Sequence, residues 1–470
     1  MTGNTYDLVI RGGTIVSAQA TFEADLAVAD GRVAALGRGL GAGVEEIDAR
    51  GRLVMPGGVD THCHIEQLSG AGLMNADTFE SATRSAAFGG TTTTVSFAAQ
   101  HPGMRIADVM ADYAACATRG ALIDHAYHMI VADISGDNLA DISRLVGEGH
   151  RSIKVFTTYD KVRLDDLSIL KVLEAARGGG ALVCFHAEND GLIRWATERL
   201  LAAGDTAPRF HALSHPRLAE IEALERICRF SEATGQPVML FHVSTREGVE
   251  IVRAARGRGA PVWAETCPHY LFMTEDDLDR PGMEAAALLC SPPQRQAADQ
   301  EALWRGLALG DLQLVTSDHA PYRMDASGKF ANGEAPPFNR IANGMPGLEL
   351  RLPLMFDAMV VGGRLGAEKF VELTATAPAA LFGLTGKGRL DPGYDADIAI
   401  WNPDARRVLG ENDLHDNVGY NPFAGREIAG WPETVLSRGE AVIRDGALQA
   451  RPGRGRRVVM ECSPAMRPAN

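Results

Sequence analysis

Hydrophobic and polar positions follow one rhythm at the two ends of the chain and another in the middle. Near the start, "YDLVIRGGTIV", "FEADLAVADGRVAALG" and "VEEIDARGRLVMPG" are short β-type runs broken by Gly and Asp-Gly. Near the end, "DADIAIWNP", "PETVLSRGEAVIRDGAL" and "GRRVVM" repeat that style. Asp30-Gly31 and Asp445-Gly446 are hairpin signals, because such turns need residues that tolerate a left-handed backbone. Two similar ends around a different middle predict one small β-sandwich domain built from residues 1–55 plus 385–470.

The middle, residues 56–384, alternates apolar runs with helix-like stretches. Eight runs have the length of buried parallel strands, at 55–60, 92–97, 125–131, 152–156, 181–186, 238–242, 261–265 and 313–318. "ALVCF" and "VMLF" are apolar at every position, as strands covered on both faces should be. "DDLSILKVLEAARGGG" and "RLAEIEALERICRFSEATG" lie between strands and stop at glycine, the second with apolar residues at three-to-four spacing. Eight strand–helix units predict an α/β fold, a (β/α)8 TIM-like barrel. A chain of 470 residues suits such a barrel plus a smaller domain better than a single core.

Composition narrows the partners. Hydrophobic residues make up 46%, enough for a large core. Lys and Arg number 46 against 60 Asp and Glu, and the resulting charge of −14 disfavours nucleic acid or an anionic membrane as the main partner. No stretch is apolar for long enough to span a bilayer. The polar start, Met1 to Asp7, leads into a strand without the basic and apolar regions of a signal peptide. Seven scattered cysteines with no CxxC pair point to a reducing, cytoplasmic setting.

Active sites of such barrels lie where the strands end. The first run leads into "GGVDTHCHIE" with His62 and His64; the fourth carries Lys154 in "SIKVF". The fifth ends in His186, the sixth in His242 and the eighth in Asp318. Residues i and i+2 of a strand share a face, roughly 6.7 Å apart. Two imidazoles so placed can converge on one ion through bonds of about 2.0–2.1 Å. Alone, an HxH pair is more often a surface or hydrogen-bonded pair; histidines and an aspartate at other strand ends favour metal. Lys154 has two readings. As an ammonium it would be repelled by metal dications and would pair with a nearby carboxylate. Desolvated, its pKa falls, and the neutral amine can add carbon dioxide to form an anionic carbamate with two oxygens, enough to bridge two metals.

The motifs "GGVDTHCH", "FGGTTT", "SIKVF", "FHAE", "FHVS", "AETCPHYL", "CSPPQR" and "TSDHAPY" follow one another in this order. In this the chain resembles the amidohydrolase superfamily, and more narrowly the dihydropyrimidinase and hydantoinase group of cyclic amidases, over nearly its whole length. The resemblance implies zinc-dependent hydrolysis of a cyclic amide by a metal-bridging hydroxide, opening hydantoins or 5,6-dihydropyrimidines. It implies that His62, His64 and Asp318 hold one Zn2+, that His186 and His242 hold a second, and that carboxylated Lys154 bridges them. Asp318 is then the expected proton shuttle. Tyr159 matches a tyrosine aimed at the tetrahedral oxyanion. Ser291 in "CSPP" and Asn343 in "IANG" match positions whose main chain clasps the substrate's ring amides. Plainer readings remain for these three: an amphipathic loop tyrosine, the start of a Pro-Pro turn, and an Asn-Gly turn. His269 and His319 are left unassigned between a role behind the ligands and the commoner one of a hydrogen-bonded structural histidine. The resemblance also implies a homotetramer, with the tail after Val459 reaching a neighbour.

Two departures bear on substrate. Dihydroorotase-like relatives carry an arginine just after the HxH pair, where this chain has Ile65 and Glu66, which argues against a carboxylate-bearing ring. "EQLSGAGLMNADTF" replaces an aromatic-containing loop, so residues 67–74, with Leu68, Leu73 and Met74 as the apolar candidates, predict a pocket lid of different shape. The aperiodic stretch 322–339 predicts a second loop at the mouth. An imidase or another cyclic amidase is the alternative on the same machinery. A non-catalytic scaffold is disfavoured by the complete ligand set.

Overall fold

The computed structural model describes residues 6–468; Met1 to Thr5, most of the polar start, and the last two residues of the tail lie outside the described residues. The first five strands are β1 (Tyr6–Val16), β2 (Thr21–Ala29), β3 (Arg32–Gly37), β4 (Gly43–Asp48) and β5 (Leu53–Pro56). Eight more follow in the middle: β6 (Gly58–Cys63), β7 (Thr91–Ala99), β8 (Asp124–Ile130), β9 (Ser152–Phe156), β10 (Leu182–His186), β11 (Val238–Leu240), β12 (Val262–Thr266) and β13 (Leu314–Val315). The last four are β14 (Ile398–Val408), β15 (Glu427–Ser437), β16 (Glu440–Arg444) and β17 (Ala447–Leu448).

Both chain ends enter one nine-stranded sheet, joined where β14 pairs antiparallel with β5. Leu8, Ile10, Leu26 and Val54 from the start share a buried core with Ile398, Ile400 and Leu436 from the end. β6 to β13 form the parallel eight-stranded sheet of the barrel, each strand beside its sequence neighbour. The run expected at 55–60 is divided between the two sheets: Met55 pairs with Ala399, and the barrel begins at Gly58. Gly57 makes the crossing. A Cβ there would lie 2.3 Å from the Thr92 side chain, so only glycine lets the backbone pass β7 this closely.

β13 is short, so few ladder bonds are available to close the barrel. A parallel bridge between Cys63 and His319 does so at the top, with the His64 N–H donating to the His319 carbonyl at 2.7 Å. Below it the fully buried Arg351 spans the seam. It donates to the carbonyls of Val59 (3.2 Å) and Val315 (3.0 Å) and faces Asp60 at 3.4 Å. The barrel interior is filled by Val59, Phe97, Leu182, Met239, Phe241 and Leu314.

The helices form where their caps predict. Asp165 accepts from Ser168 N at 2.7 Å and starts the helix Asp166–Arg177. Gly235 ends Arg217–Thr234 in a left-handed conformation, its N–H returning to Ser231 O. The described part of the tail packs on its own barrel. Val458 N–H donates to His125 O, Glu461 N–H donates to Gly383 O, and Met460 and Met466 join the cluster that fills the barrel. The described part of the tail thus carries apolar side chains that its own barrel buries.

Candidate metal centre and active site

The first strand delivers His62 within β6 and His64 just beyond it. His62 Nε2 lies 3.0 Å, and His64 Nε2 3.5 Å, from the same oxygen of Asp318. The ligand atoms of all three lie within 4.8 Å of one another. Opposite them, the His186 and His242 rings are 4.6 Å apart, and His242 is 5.5 Å from His62. Lys154 rises from the middle of β9 with its amine 4.1 Å from the Phe241 ring and 5.5 Å from Phe97. All six side chains line one cavity of about 580 Å3. Asp318, His242 and Tyr159 have φ of 46°, 42° and 74°. A left-handed backbone costs a residue with a side chain about 1–2 kcal/mol, so the surrounding packing holds three cavity residues against local preference.

Each of three histidines is oriented by an oxygen behind it. His62 Nδ1 meets Glu265, His64 Nδ1 meets the Gln67 side-chain carbonyl at 2.6 Å, and His186 Nε2 meets Glu188 at 2.8 Å. A carboxylate or carbonyl accepts, so each of these nitrogens carries the proton and the other turns its lone pair toward the cavity. The sequence reading missed these anchors because it sought ligands alone. The signals were present: Glu188 stands two residues after His186, and Glu265 ends the seventh predicted strand.

Burial and charge compete throughout. Burial pushes Asp318 upward, but His62, His64 and His242 outweigh it and hold the carboxyl well below the usual range. Burial lowers His64, His186 and His242, the last further because His186 and Lys154 face it. His62 moves upward instead, since the charges of Asp318 and Glu265 overcome its burial. Burial also brings the Lys154 amine down to about 8, against the opposing pull of Asp318. Among the described residues, no hydrogen bond or ion pair within 4.0 Å reaches that amine, so the reading of Lys154 as one half of a carboxylate pair finds no partner.

The remaining candidates converge on one wall. Tyr159 sits 5.1 Å from the His186 ring, and its side chain faces Ser291 and Asn343. Burial, with the charge of Glu188, pushes its phenol upward, so it stands as a protonated donor. The Asn343 amide donates to the Ser291 hydroxyl. The turn carrying Asn343 is pinned from behind: the buried Lys329 donates to Ala342 O at 2.9 Å and Gly344 O at 2.8 Å. Lys329 belongs to the aperiodic stretch 322–339, which does reach the mouth, contributing Tyr322, Phe338 and Asn339 to the lining. In the other loop Leu68 and Leu73 line the cavity, whereas Met74 pairs with Leu68 and stays half exposed. His319 is structural: it is fully buried between Asp77, at 2.9 Å, and the backbone N–H of Gly347.

These donors suit metal ions. His62 Nε2 and His242 Nδ1 are buried without a hydrogen-bond partner. With the ring neutral and its proton on Nδ1, His62 turns a lone pair toward a carboxylate oxygen 3.0 Å away. Two acceptors facing each other in a dry site are unfavourable unless a cation lies between them.

Comparison with known proteins identifies the family. The amidohydrolase family model matches residues 53–442. The D-hydantoinase of Streptomyces coelicolor is 42% identical over 95% of this chain and 96% of its own length. That of Geobacillus stearothermophilus is 39% identical over 96% of both. The crystal structure of the dihydropyrimidinase from Brevibacillus agri superposes with a TM-score of 0.93 at 37% identity, covering 97% of this chain and 99% of that one. The chain therefore belongs to the amidohydrolase family, and within it to the hydantoinase and dihydropyrimidinase group. It is a hydrolase of the cyclic amidase type.

Proposed function

We propose that the chain opens a cyclic ureide, a hydantoin or a 5,6-dihydropyrimidine, by zinc-dependent hydrolysis. The convergence of His62, His64, Lys154, His186, His242 and Asp318 on one cavity carries this reading. His62, His64 and Asp318 would hold one zinc and His186 and His242 the other. Lys154, as its carbamate, would be the shared anionic ligand; a buried amine with no acceptor of its own is the group that such a modification satisfies. When bound, two dications acidify water, lowering its pKa from 15.7 to about 7, and polarise the ring carbonyl.

The chain's own residues do the rest. Asp318 reaches both His62 and His64, and its carboxylate is ionised, so it is the group able to take the proton of the attacking water and pass it to the leaving ring nitrogen. Tyr159 donates to the oxyanion that develops as the carbonyl becomes tetrahedral. Ser291 and Asn343 engage each other through their side chains, which leaves their main-chain groups to receive the ring amides. Leu68, Leu73 and Phe338 would surround the ring substituent.

All seven cysteines are unpaired, which supports the cytoplasmic setting inferred from their spacing, and no described helix is long and apolar enough to cross a membrane. A tetramer is proposed on resemblance. An assay of hydantoin, dihydrouracil, allantoin, succinimide and phthalimide with the zinc-loaded protein tests the reading. Turnover of the ureides supports it, turnover of the imides alone makes the chain an imidase, and silence on every ring overturns it.

A further inference from the structure

Glu188 differs from the other oxygens behind the histidines, because it serves two rings. It is fully buried. One oxygen accepts from His186 Nε2 at 2.8 Å and the other from His215 Nδ1 at 2.9 Å. A buried carboxylate needs both oxygens satisfied, and among the described residues only these two side chains reach them. His215 is itself held. Its carbonyl accepts from the buried Arg295 at 2.8 Å, Arg295 also pairs with Glu220 at 3.3 Å, and Pro216 behind it caps the helix Arg217–Thr234. The ring stands 4.6 Å from His211 and lines the same cavity as His186.

We propose that His215 is a positioning residue for the metal centre, acting on His186 through their shared Glu188. With Oε1 tied to His215, the carboxylate plane is fixed and Oε2 can point only at His186 Nε2. The His186 ring is then oriented with Nδ1 toward the cavity. Without His215, Oε1 is left unpaired at a cavity wall. The carboxylate is free to rotate toward the cavity, and His186 loses both its orientation and its preferred tautomer. Outer partners of this kind are worth about 10- to 100-fold in metal affinity.

This inference rests on the zinc-binding reading above, and zinc affinity measured by chelator competition separates the two. Wild type should bind two zinc ions per chain. His215→Ala should hold one of its two zinc ions about 10- to 100-fold less tightly than wild type. His215→Asn, whose amide N–H takes the place of Nδ1–H, should return affinity to within about threefold of wild type. His215→Gln, whose amide falls at the Nε2 position, should not. Wild-type affinity in His215→Ala overturns the positioning role and leaves the zinc reading intact. So does equal weakness in the Asn and Gln variants, which also decides the matter if His215→Ala fails to fold. A wild type that binds no zinc overturns both.

Discussion

At the scale of single residues, the proposed chemistry depends most on Lys154 and Tyr159, which enter it differently. Lys154 is enclosed by Phe97, Phe156 and Phe241, and among the described residues no carboxylate lies within ion-pair distance. Replacing it with alanine removes the proposed shared ligand, so Lys154→Ala should lose zinc before it loses fold. Metal analysis checks this, and a variant keeping two zinc ions per chain would refute the bridge. Tyr159 makes no hydrogen bond to any of the six proposed ligands. Tyr159→Phe should therefore keep both metals and slow turnover by about 10²–10³-fold, the usual loss when one oxyanion donor is removed. Unchanged turnover would exclude that role. The six candidate ligands were legible because each stands within or just beyond a strand that its own apolar run announces, whereas Tyr159, Ser291 and Asn343 were reached only through the family resemblance. Glu188, Glu265 and His215 were passed over. Glu188 stands two residues from His186 and could have been read from that spacing, but His215 and Glu265 take partners 27 and 203 positions away, and no local pattern records those pairings.

At the scale of elements, all eight barrel strands overlap runs that the hydrophobic pattern marked, and the helix read from three-to-four spacing, Arg217–Thr234, ends at its expected Gly235. The misreadings share a cause. The run at 55–60 belongs to two sheets, because an apolar stretch does not say which sheet buries it. The runs at 238–242 and 313–318 outlast their strands, Val238–Leu240 and Leu314–Val315; beyond each ladder His242 and Asp318 turn left-handed and carry their side chains into the cavity. The short β13 also leaves the seam with β6 dependent on Arg351, whose guanidinium is bonded to both strands. Removing one partner of a buried ion pair costs about 3–5 kcal/mol. Arg351→Met should lower unfolding stability by that amount in urea titration; a loss under about 1 kcal/mol would mean that the barrel closes without it.

At the scale of the whole molecule, the sheet built from both chain ends and the inward-folded tail hold the base of the barrel while loops shape its mouth. The base carries its own pH sensitivity. Burial brings His125 and His150 down to about 4 on either side of Tyr127, with Arg457 of the tail opposing their charge further. Between pH 6.5 and 4 the unfolded chain protonates these histidines and the folded chain does not, so stability is present above that window and is lost as pH falls through it. Two such groups give a slope of up to about 3 kcal/mol per pH unit. Urea midpoints of the zinc-free protein from pH 7 to 4 should fall accordingly, and a flat profile would contradict the burial of these rings. The central claim meets its most direct test in anomalous diffraction at the zinc edge, from crystals grown with zinc and bicarbonate. The account predicts two peaks, one among His62, His64 and Asp318 and one beside His186 and His242, joined by a carbamate on Lys154. A plain lysine amine with no metal between the histidines would contradict it.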